Sequence, residues 1–147
     1  MIYQGPKKYP VTEIFIHCTA TPSVWGTSSA QRLEAIRQMH IKERGWRDIG
    51  YHWLIDRDGT VMQGRKETEV GAHVAGHNSG TIGISLFGGL TSKTHDLFSK
   101  NYTREQEEAL RLLIEQIMGR TNIKRVRGHN EVDSGKACPG FWVPDWL

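Results

Sequence analysis

Three residues of the types that bind zinc are candidates for a metal site in this chain: His17, His129 and Cys138. A catalytic zinc ion takes three protein ligands from His, Cys and carboxylates, and its fourth position stays open for water. His129 and Cys138 lie nine residues apart, so one loop can bring both to the same ion. HExxH and paired CxxC motifs are absent. Spacing alone therefore leaves a structural role open for these residues, as a half-buried strand-end histidine or a small core cysteine.

Motifs of other reaction classes are incomplete in this sequence. Gly83-Ile84-Ser85-Leu86-Phe87 resembles the G-x-S-x-G elbow of serine hydrolases, but Phe87 replaces the second glycine and no strand-to-helix turn follows. Asp56-Arg57-Asp58-Gly59 matches only a fragment of a calcium-binding loop. There is no glycine-rich phosphate loop and no convincing carboxylate pair for a glycosidase. A serine hydrolase, a calcium sensor, a nucleotide enzyme and a glycosidase are therefore all disfavoured.

The length and charge of the chain favour one mildly basic domain. Its 147 residues can bury a hydrophobic core without disulfides, so we expect a single domain over residues 1–147. The 19 Lys and Arg residues against 16 Asp and Glu residues give a net charge of +3, which favours an anionic polymer such as cell wall or nucleic acid. The charged N-terminus does not resemble a signal peptide, and the apolar stretch Ile82 to Leu86 is far too short to span a bilayer. We expect synthesis in a reducing cytoplasm.

Three predicted strands set the positions of the candidate ligands. Val11 to His17 is rich in β-branched and aromatic residues, which predicts a strand that carries His17 to the rim of a sheet. Side chains alternate along a strand, so Cys18 is expected on the opposite face, in the core and not on the same metal. Thr81 to Phe87 is nearly continuous in apolar residues and predicts a buried strand. Arg125 to Gly128 predicts a last short strand.

Two helices are predicted from their starts and stops. The Ser28–Gln31 pair has the spacing of a capping box, and the helix it begins is expected to run to about Arg44, with Gly45 as its stop. The Thr103–Gln106 pair predicts a second helix with a clear apolar face that ends at Gly119.

A hairpin completes the predicted fold. The turn Arg57-Asp58-Gly59 joins the candidate strands Tyr51–Asp56 and Thr60–Gln63, which is a strong hairpin signal. Strands interleaved with helices, together with this hairpin, predict an α/β fold in which a central mixed β-sheet is flanked by helices.

Five motifs appear in the same order as in a known family, and they extend from about Glu13 to Phe141. The chain resembles the small phage N-acetylmuramoyl-L-alanine amidases, the zinc endolysins historically called lysozymes. Peptidoglycan recognition proteins and bacterial recycling amidases are similar at a greater distance. The motifs are Phe15-Ile16-His17-Cys18-Thr19-Ala20-Thr21, Gly45-Trp46-Arg47-Asp48-Ile49-Gly50-Tyr51-His52, Asp56-Arg57-Asp58-Gly59-Thr60-Val61, Val70-Gly71-Ala72-His73-Val74-Ala75-Gly76-His77-Asn78 and Lys136-Ala137-Cys138-Pro139-Gly140-Phe141.

The resemblance implies an enzyme that uses Zn²⁺ to hydrolyse the amide bond between N-acetylmuramic acid and L-alanine in peptidoglycan, for phage-type cell lysis. It implies that Tyr51 and Lys136 are catalytic groups beside the metal. The non-catalytic recognition proteins typically lack the cysteine ligand, which this chain keeps. The zinc ligands implied by the resemblance are His17, His129 and Cys138.

Substrate contacts are expected around the loop from Gly71 to Gly80. The resemblance places His73 on this substrate loop, and His73 and His77 are candidates to line a polar groove for glycan or stem peptide. Trp25 and Trp46 are candidates for stacking on sugar faces, although core packing is the alternative for Trp46.

The partners implied by the resemblance follow from this activity. The first is bacterial peptidoglycan, and the second is a phage RNA polymerase, which some members of the family also bind. We expect a monomer without a membrane segment, held in the host cytoplasm until it is released to the cell wall.

Overall fold

The computed structural model describes residues 1–22, 28–44 and 49–147. Within these ranges the secondary structure alternates between strands and helices along the chain. In chain order the elements are β1 (Tyr3–Gln4), β2 (Tyr9–Pro10), β3 (Glu13–Cys18), α1 (Ser29–Arg44), β4 (Trp53–Ile55), β5 (Val61–Gln63), β6 (Thr81–Leu86), α2 (Phe98–Asn101), α3 (Arg104–Arg120), β7 (Arg125–Gly128), a 3-10 turn (His129–Glu131) and α4 (Val143–Trp146).

Five strands form one mixed sheet in the order β5-β4-β6-β3-β7. β3 is parallel to its neighbours β6 and β7, β4 is parallel to β6, and β5 is antiparallel to β4. Every residue of β3 and β6 is buried, as expected for strands that are covered on both faces. The predicted α/β fold with a central mixed sheet is therefore confirmed. β1 and β2 pair with each other as a separate ribbon.

The two faces of the sheet are covered by different helices. Ile16 and Cys18 of β3 lie in the main hydrophobic cluster with Leu113 of α3. On the opposite face, Ile36 of α1 packs in a second cluster with Leu54 of β4. The prediction that Cys18 lies in the core is confirmed.

Both predicted helices are present. At the start of α1, Ser28 Oγ accepts a hydrogen bond from the Gln31 N–H at 3.2 Å. At the start of α3, Thr103 and Gln106 form both arms of a capping box, and α3 ends one residue later than predicted. Gly45, the predicted stop of α1, lies outside the described residues. Within the described ranges, no helix is both long enough and apolar enough to cross a membrane.

The predicted hairpin is also present, but the ends of some strands differ from prediction. β4 and β5 pair across the turn that contains Gly59, whose φ of 87° suits glycine. β3 begins two residues later than predicted, because the Val11 N–H donates to Ile2 O at 2.9 Å and the Thr12 N–H donates to Gly80 O at 3.0 Å. The elements β1, β2, α2 and α4 were not predicted, because each is only two to four residues long.

A buried carboxylate ties α1 to the end of β4. Asp56 follows β4 directly and is fully buried. It accepts hydrogen bonds from the Arg32 guanidinium and the Ser29 hydroxyl, both on α1, and from the Arg57 N–H at 2.7 Å. A buried charge is tolerated when it is paired and hydrogen-bonded in this way. The contact therefore fixes the start of α1 against the sheet.

The same contacts control the ionisation of Asp56. Burial alone would raise the pKa of this carboxyl group, but the hydrogen bonds from Arg32, Ser29 and the Arg57 N–H lower the pKa below its ordinary value. A carboxyl group whose pKa is depressed by folding stabilises the protein above its unfolded pKa, about 3.9, and loses that contribution as the pH falls through the folded pKa.

We expect Asp56→Ala to lower the free energy of unfolding by about 3–5 kcal/mol, the usual cost of removing one partner of a buried ion pair. Urea unfolding near pH 7 measures this loss. Asp58→Ala is the matched control, because Asp58 is exposed and its hydrogen bonds are local ones within the turn, to Thr60. Equal losses in the two variants would contradict the role of Asp56.

Candidate metal centre

The pairing of β3 with β7 brings two histidines to one edge of the sheet. The strands are parallel, with Ile16 opposite Gly128. His17 follows Ile16 in β3, and His129 follows Gly128 as the first residue of the 3-10 turn. Both therefore lie at the carboxyl edge, and their ring centroids are 4.9 Å apart. The carboxyl edge is where open α/β sheets generally bind ligands.

The loop after the 3-10 turn returns Cys138 to the same edge. Asn130 fixes this loop: its N–H donates to Cys138 O at 2.9 Å, and its side-chain amide donates to Ala137 O at 3.2 Å. Gly128 permits the close return, because a Cβ there would lie 2.6 Å from Asn130 Oδ1 and 2.9 Å from Pro139 Cδ. A residue with a side chain at position 128 would push the loop away from the strand ends.

The three candidate ligand atoms have the spacing of a zinc site. One atom each from His17, His129 and Cys138 lies within 4.8 Å of the other two. His17 Nδ1 and Cys138 Sγ are 3.8 Å apart. Tetrahedral zinc with bonds of about 2.0–2.3 Å places its ligand atoms roughly 3.3–3.8 Å apart. The His17–Cys138 distance falls in this range, and the three atoms would have to approach one another by at most roughly 1.5 Å to share the ion. Within residues 1–22, 28–44 and 49–147 no other set of three His, Cys, Asp or Glu ligands is this compact.

Burial keeps both histidines neutral. His17 is 1% exposed, and burial first and the nearby His129 second hold its pKa well below the usual value. Burial also lowers the pKa of His129, on which the charges of Asp133 and Lys136 act in opposite directions. Both imidazoles are therefore uncharged near pH 7, which is the form that binds a metal.

The environment of Cys138 combines a half-buried thiol with a backbone donor. The Cys18 N–H donates to Cys138 Sγ at 3.1 Å. Hydrogen bonding with the Cys18 thiol and burial raise the pKa of Cys138 well above its usual range, so in the free protein this thiol keeps its proton. Binding of a cation would release that proton, and the backbone N–H would then stabilise the thiolate.

Tyr51 and Lys136, the predicted catalytic groups, both lie near candidate ligands: Tyr51 is beside His17, and Lys136 is close enough for its charge to act on His129. The half-buried Tyr51 ring is 5.3 Å from the His17 ring, measured between centroids. Its main chain is held by Arg65, whose N–H donates to Tyr51 O at 2.9 Å. Lys136 is exposed and precedes Cys138 by two residues, which leaves its ammonium group free to approach a bound substrate.

His73 and His77, the predicted substrate-binding residues, lie in different surroundings. His73 is buried, and its Nδ1 is 2.9 Å from Nε2 of His17, the nitrogen that faces away from Cys138. His77 is exposed, with its ring 6.0 Å from that of Phe15. Substrate contact remains a prediction for both residues, and exposure favours His77.

Two further sequence predictions cannot be placed, because Trp25 and Trp46 lie outside the described residues. The contact between His73 and His17 was not predicted from the sequence, because the two residues are 56 positions apart. The glycine at position 83 of β6 is a sequence feature related to the position of His73. Gly83 faces His73, and a Cβ at position 83 would lie 2.6 Å from the His73 ring.

The chain matches the family model described as N-acetylmuramoyl-L-alanine amidase over residues 7–141. It is 42% identical over 133 residues to the endolysin of Escherichia phage T7, with 90% of this chain and 83% of that protein covered. It is 38% identical over 143 residues to the endolysin of Klebsiella phage KP32, with 97% and 89% covered.

Solved structures show the same relationship. Bumblebee PGRP-SA is similar with a TM-score of 0.79 at 27% identity, over 100% of this chain and 86% of that one. The N-acetylmuramoyl-L-alanine amidase LysC from Clostridium intestinale is similar with a TM-score of 0.74 at 27% identity, over 99% and 89%. By its sequence match and its fold, the chain belongs to the N-acetylmuramoyl-L-alanine amidase family.

Proposed function

We propose that this amidase is zinc-dependent and cuts the bond between N-acetylmuramic acid and L-alanine of peptidoglycan during phage-type cell lysis. The observation that carries the zinc proposal is the approach of three ligand atoms to within 4.8 Å of one another. The family and the endolysin relatives support the substrate and the lytic role. The proposed zinc ligands are His17, His129 and Cys138.

The ligand set suits hydrolysis of an amide. Two neutral imidazoles and one thiolate leave the centre with a net charge of about +1 when zinc is bound. Zinc in such a site supplies an activated water and polarises the carbonyl of the scissile bond. The buried side of the centre, where His17 lies, excludes bulk water, which strengthens electrostatic interactions with the reacting atoms.

Lys136 and Tyr51 are assigned complementary catalytic roles. The Lys136 ammonium stabilises the negative charge that develops on the carbonyl oxygen in the transition state. The Tyr51 phenol donates a hydrogen bond to the nucleophilic water or to the oxyanion, because a phenol O–H is a hydrogen-bond donor. The exposed His77 is assigned to the rim of the groove, where an imidazole can contact glycan or stem peptide.

The alternative is a receptor that recognises peptidoglycan without cutting it. The structural neighbours include recognition proteins, and one of them is described with bound tracheal cytotoxin. Retention of the Cys138 ligand favours the enzyme over such a receptor. We further propose a monomer that stays in the host cytoplasm until it is released to the wall. Binding to a phage RNA polymerase remains a prediction, and a pull-down with that polymerase would test it.

Zinc binding is expected at one ion per chain, and Cys138→Ser should abolish it, because a neutral serine hydroxyl is a far poorer zinc ligand than a thiolate. Metal analysis of protein expressed with zinc measures the stoichiometry. Cys18→Ala is the comparison: it removes the thiol that contacts Cys138 but keeps the backbone N–H that donates to Cys138 Sγ, so its zinc stoichiometry should stay near one. Full turnover by Cys138→Ser would exclude this cysteine as a ligand.

The products of digestion should be stem peptides that begin with L-alanine, together with intact glycan strands. Mass spectrometry of purified peptidoglycan after digestion, with and without a chelator, tests both the bond and the metal dependence. New reducing sugar ends would instead identify a glycosidase, whose chemistry needs two carboxylates flanking the glycosidic bond.

Lys136→Ala and Tyr51→Phe should keep zinc but lower turnover on defined muropeptides. Loss of one transition-state donor typically costs about 100- to 1,000-fold, or roughly 3–4 kcal/mol. Lys136→Ala should have the larger effect, because the ammonium carries a full charge and the phenol only a dipole. Lys124→Ala is the control for overall charge, because Lys124 is exposed and precedes β7 at the opposite edge of the sheet. A Lys136→Ala enzyme with wild-type turnover would refute the role assigned to Lys136.

A further inference from the structure

We propose that His73 is a positioning residue that fixes the tautomer and orientation of the zinc ligand His17. The proposal rests on the zinc site proposed above and deepens it. His17 turns Nδ1 toward Cys138 Sγ, at 3.8 Å, and turns Nε2 toward His73 Nδ1, at 2.9 Å. Nδ1 of His17 is therefore on the metal side of the ring, and Nε2, on the other side of the ring, contacts His73. This contact determines which of the two nitrogens carries the ring proton.

The contacts of Thr81 set the direction of the hydrogen bonds behind His17. Thr81 Oγ1 lies 2.8 Å from His77 O and 2.9 Å from Asn78 O, both shorter than its 3.2 Å contact with His73 Nε2. Carbonyl oxygens only accept, so the single hydroxyl proton of Thr81 is directed to these carbonyls. Thr81 Oγ1 must then accept from His73 Nε2, at 3.2 Å. This leaves the proton of neutral His73 on Nε2 and the lone pair on Nδ1.

The lone pair on His73 Nδ1 in turn determines which nitrogen of His17 carries the ring proton. Neutral His17 must carry its proton on Nε2 in order to donate to His73. Its free lone pair is then on Nδ1, the atom that faces Cys138. The chain of hydrogen bonds thus selects, before any metal arrives, the tautomer of His17 that can bind one.

Water cannot replace His73 in this arrangement. His17 is 1% exposed and His73 is 7% exposed, so neither ring is open to bulk solvent. A buried N–H that loses its acceptor is destabilised, and without His73 this cost would favour the tautomer of His17 that presents an N–H to the metal side. Partners behind metal-bound histidines commonly orient the ring and fix its tautomer in this way.

The His73 ring lies in a narrow slot that is bounded by two glycines and two aromatic rings. A Cβ at Gly83 would lie 2.6 Å from His73 Cγ, and a Cβ at Gly71 would lie 2.6 Å from His73 Cδ2. The Phe15 and His52 rings lie against the same imidazole, at 6.2 Å and 5.6 Å between centroids. This packing leaves the ring little freedom to rotate away from His17.

The first test compares two substitutions of His73 by their zinc affinity, measured by competition with a chromophoric chelator. His73→Phe fills the slot but offers no acceptor, and we expect its Kd for zinc to rise by about 10- to 100-fold. His73→Asn carries Oδ1 near the position of Nδ1, and it should recover most of the affinity. The visible spectrum of the Co²⁺-loaded protein should change in His73→Phe and return toward wild type in His73→Asn.

A second pair of variants tests the far end of the chain of hydrogen bonds. Thr81→Val removes the hydroxyl that accepts from His73, and it should raise the Kd for zinc by less than His73→Phe does. Thr121→Val is the matched control, because Thr121 is also a buried threonine, and its hydroxyl donates to Val11 O before the start of β3, at the end of the strand opposite to His17. We expect no change of zinc affinity in Thr121→Val.

The outcomes separate this proposal from the zinc proposal itself. A wild-type protein that binds no zinc would refute the zinc site. A wild-type protein that binds zinc, with equal affinity and an unchanged Co²⁺ spectrum in His73→Phe, would refute only the role of His73. If His73→Phe does not fold, the second pair decides: equal zinc affinity in Thr81→Val and Thr121→Val would overturn the proposal.

Discussion

The register between β3 and β7 is the constraint on which the metal centre depends. Ile16 lies opposite Gly128. The residues that follow them, His17 and His129, therefore lie side by side at the carboxyl edge of the sheet, although 112 positions separate them in the sequence. A shift by one residue would turn one imidazole to the opposite face of the sheet. The register is held by burial, because every side chain of β3 is packed on one face or the other. The hydrophobic core therefore sets the distance between the two histidines.

β3 contributes both a side chain and a main-chain group to the metal centre. The His17 imidazole points to one face, while the Cys18 side chain packs into the core on the other. The Cys18 N–H nevertheless reaches Cys138 Sγ, because backbone donors at the end of a strand lie in the plane of the sheet. A thiolate at this position gains a fixed hydrogen bond that no side chain has to supply.

The sequence predicted the elements whose signals are local. The Thr103–Gln106 capping box, the turn at Gly59 and the alternation that separates His17 from Cys18 all have the predicted structure. The structure also brings together the predicted ligands, whose types and spacing alone had left a structural role open. The two-residue strands β1 and β2 were missed because such short pieces show no periodicity. The contact of His73 with His17 was missed because it depends on sheet register and not on nearby residues.

The sequence of β6 nevertheless contains a pattern that is related to the contact of His73 with His17. The strand reads as nearly continuous in apolar residues, yet its two faces differ in size. The face toward α3 carries Ile82, Ile84 and Leu86, whereas the face toward the metal centre carries Thr81, Gly83 and Ser85. Small residues at every second position of a buried central strand leave a trough that other side chains must fill, because protein interiors are close-packed. In this sheet the side chain that meets Gly83 is the His73 imidazole, so the size pattern of β6 indicates where a bulky polar group is buried behind the ligands.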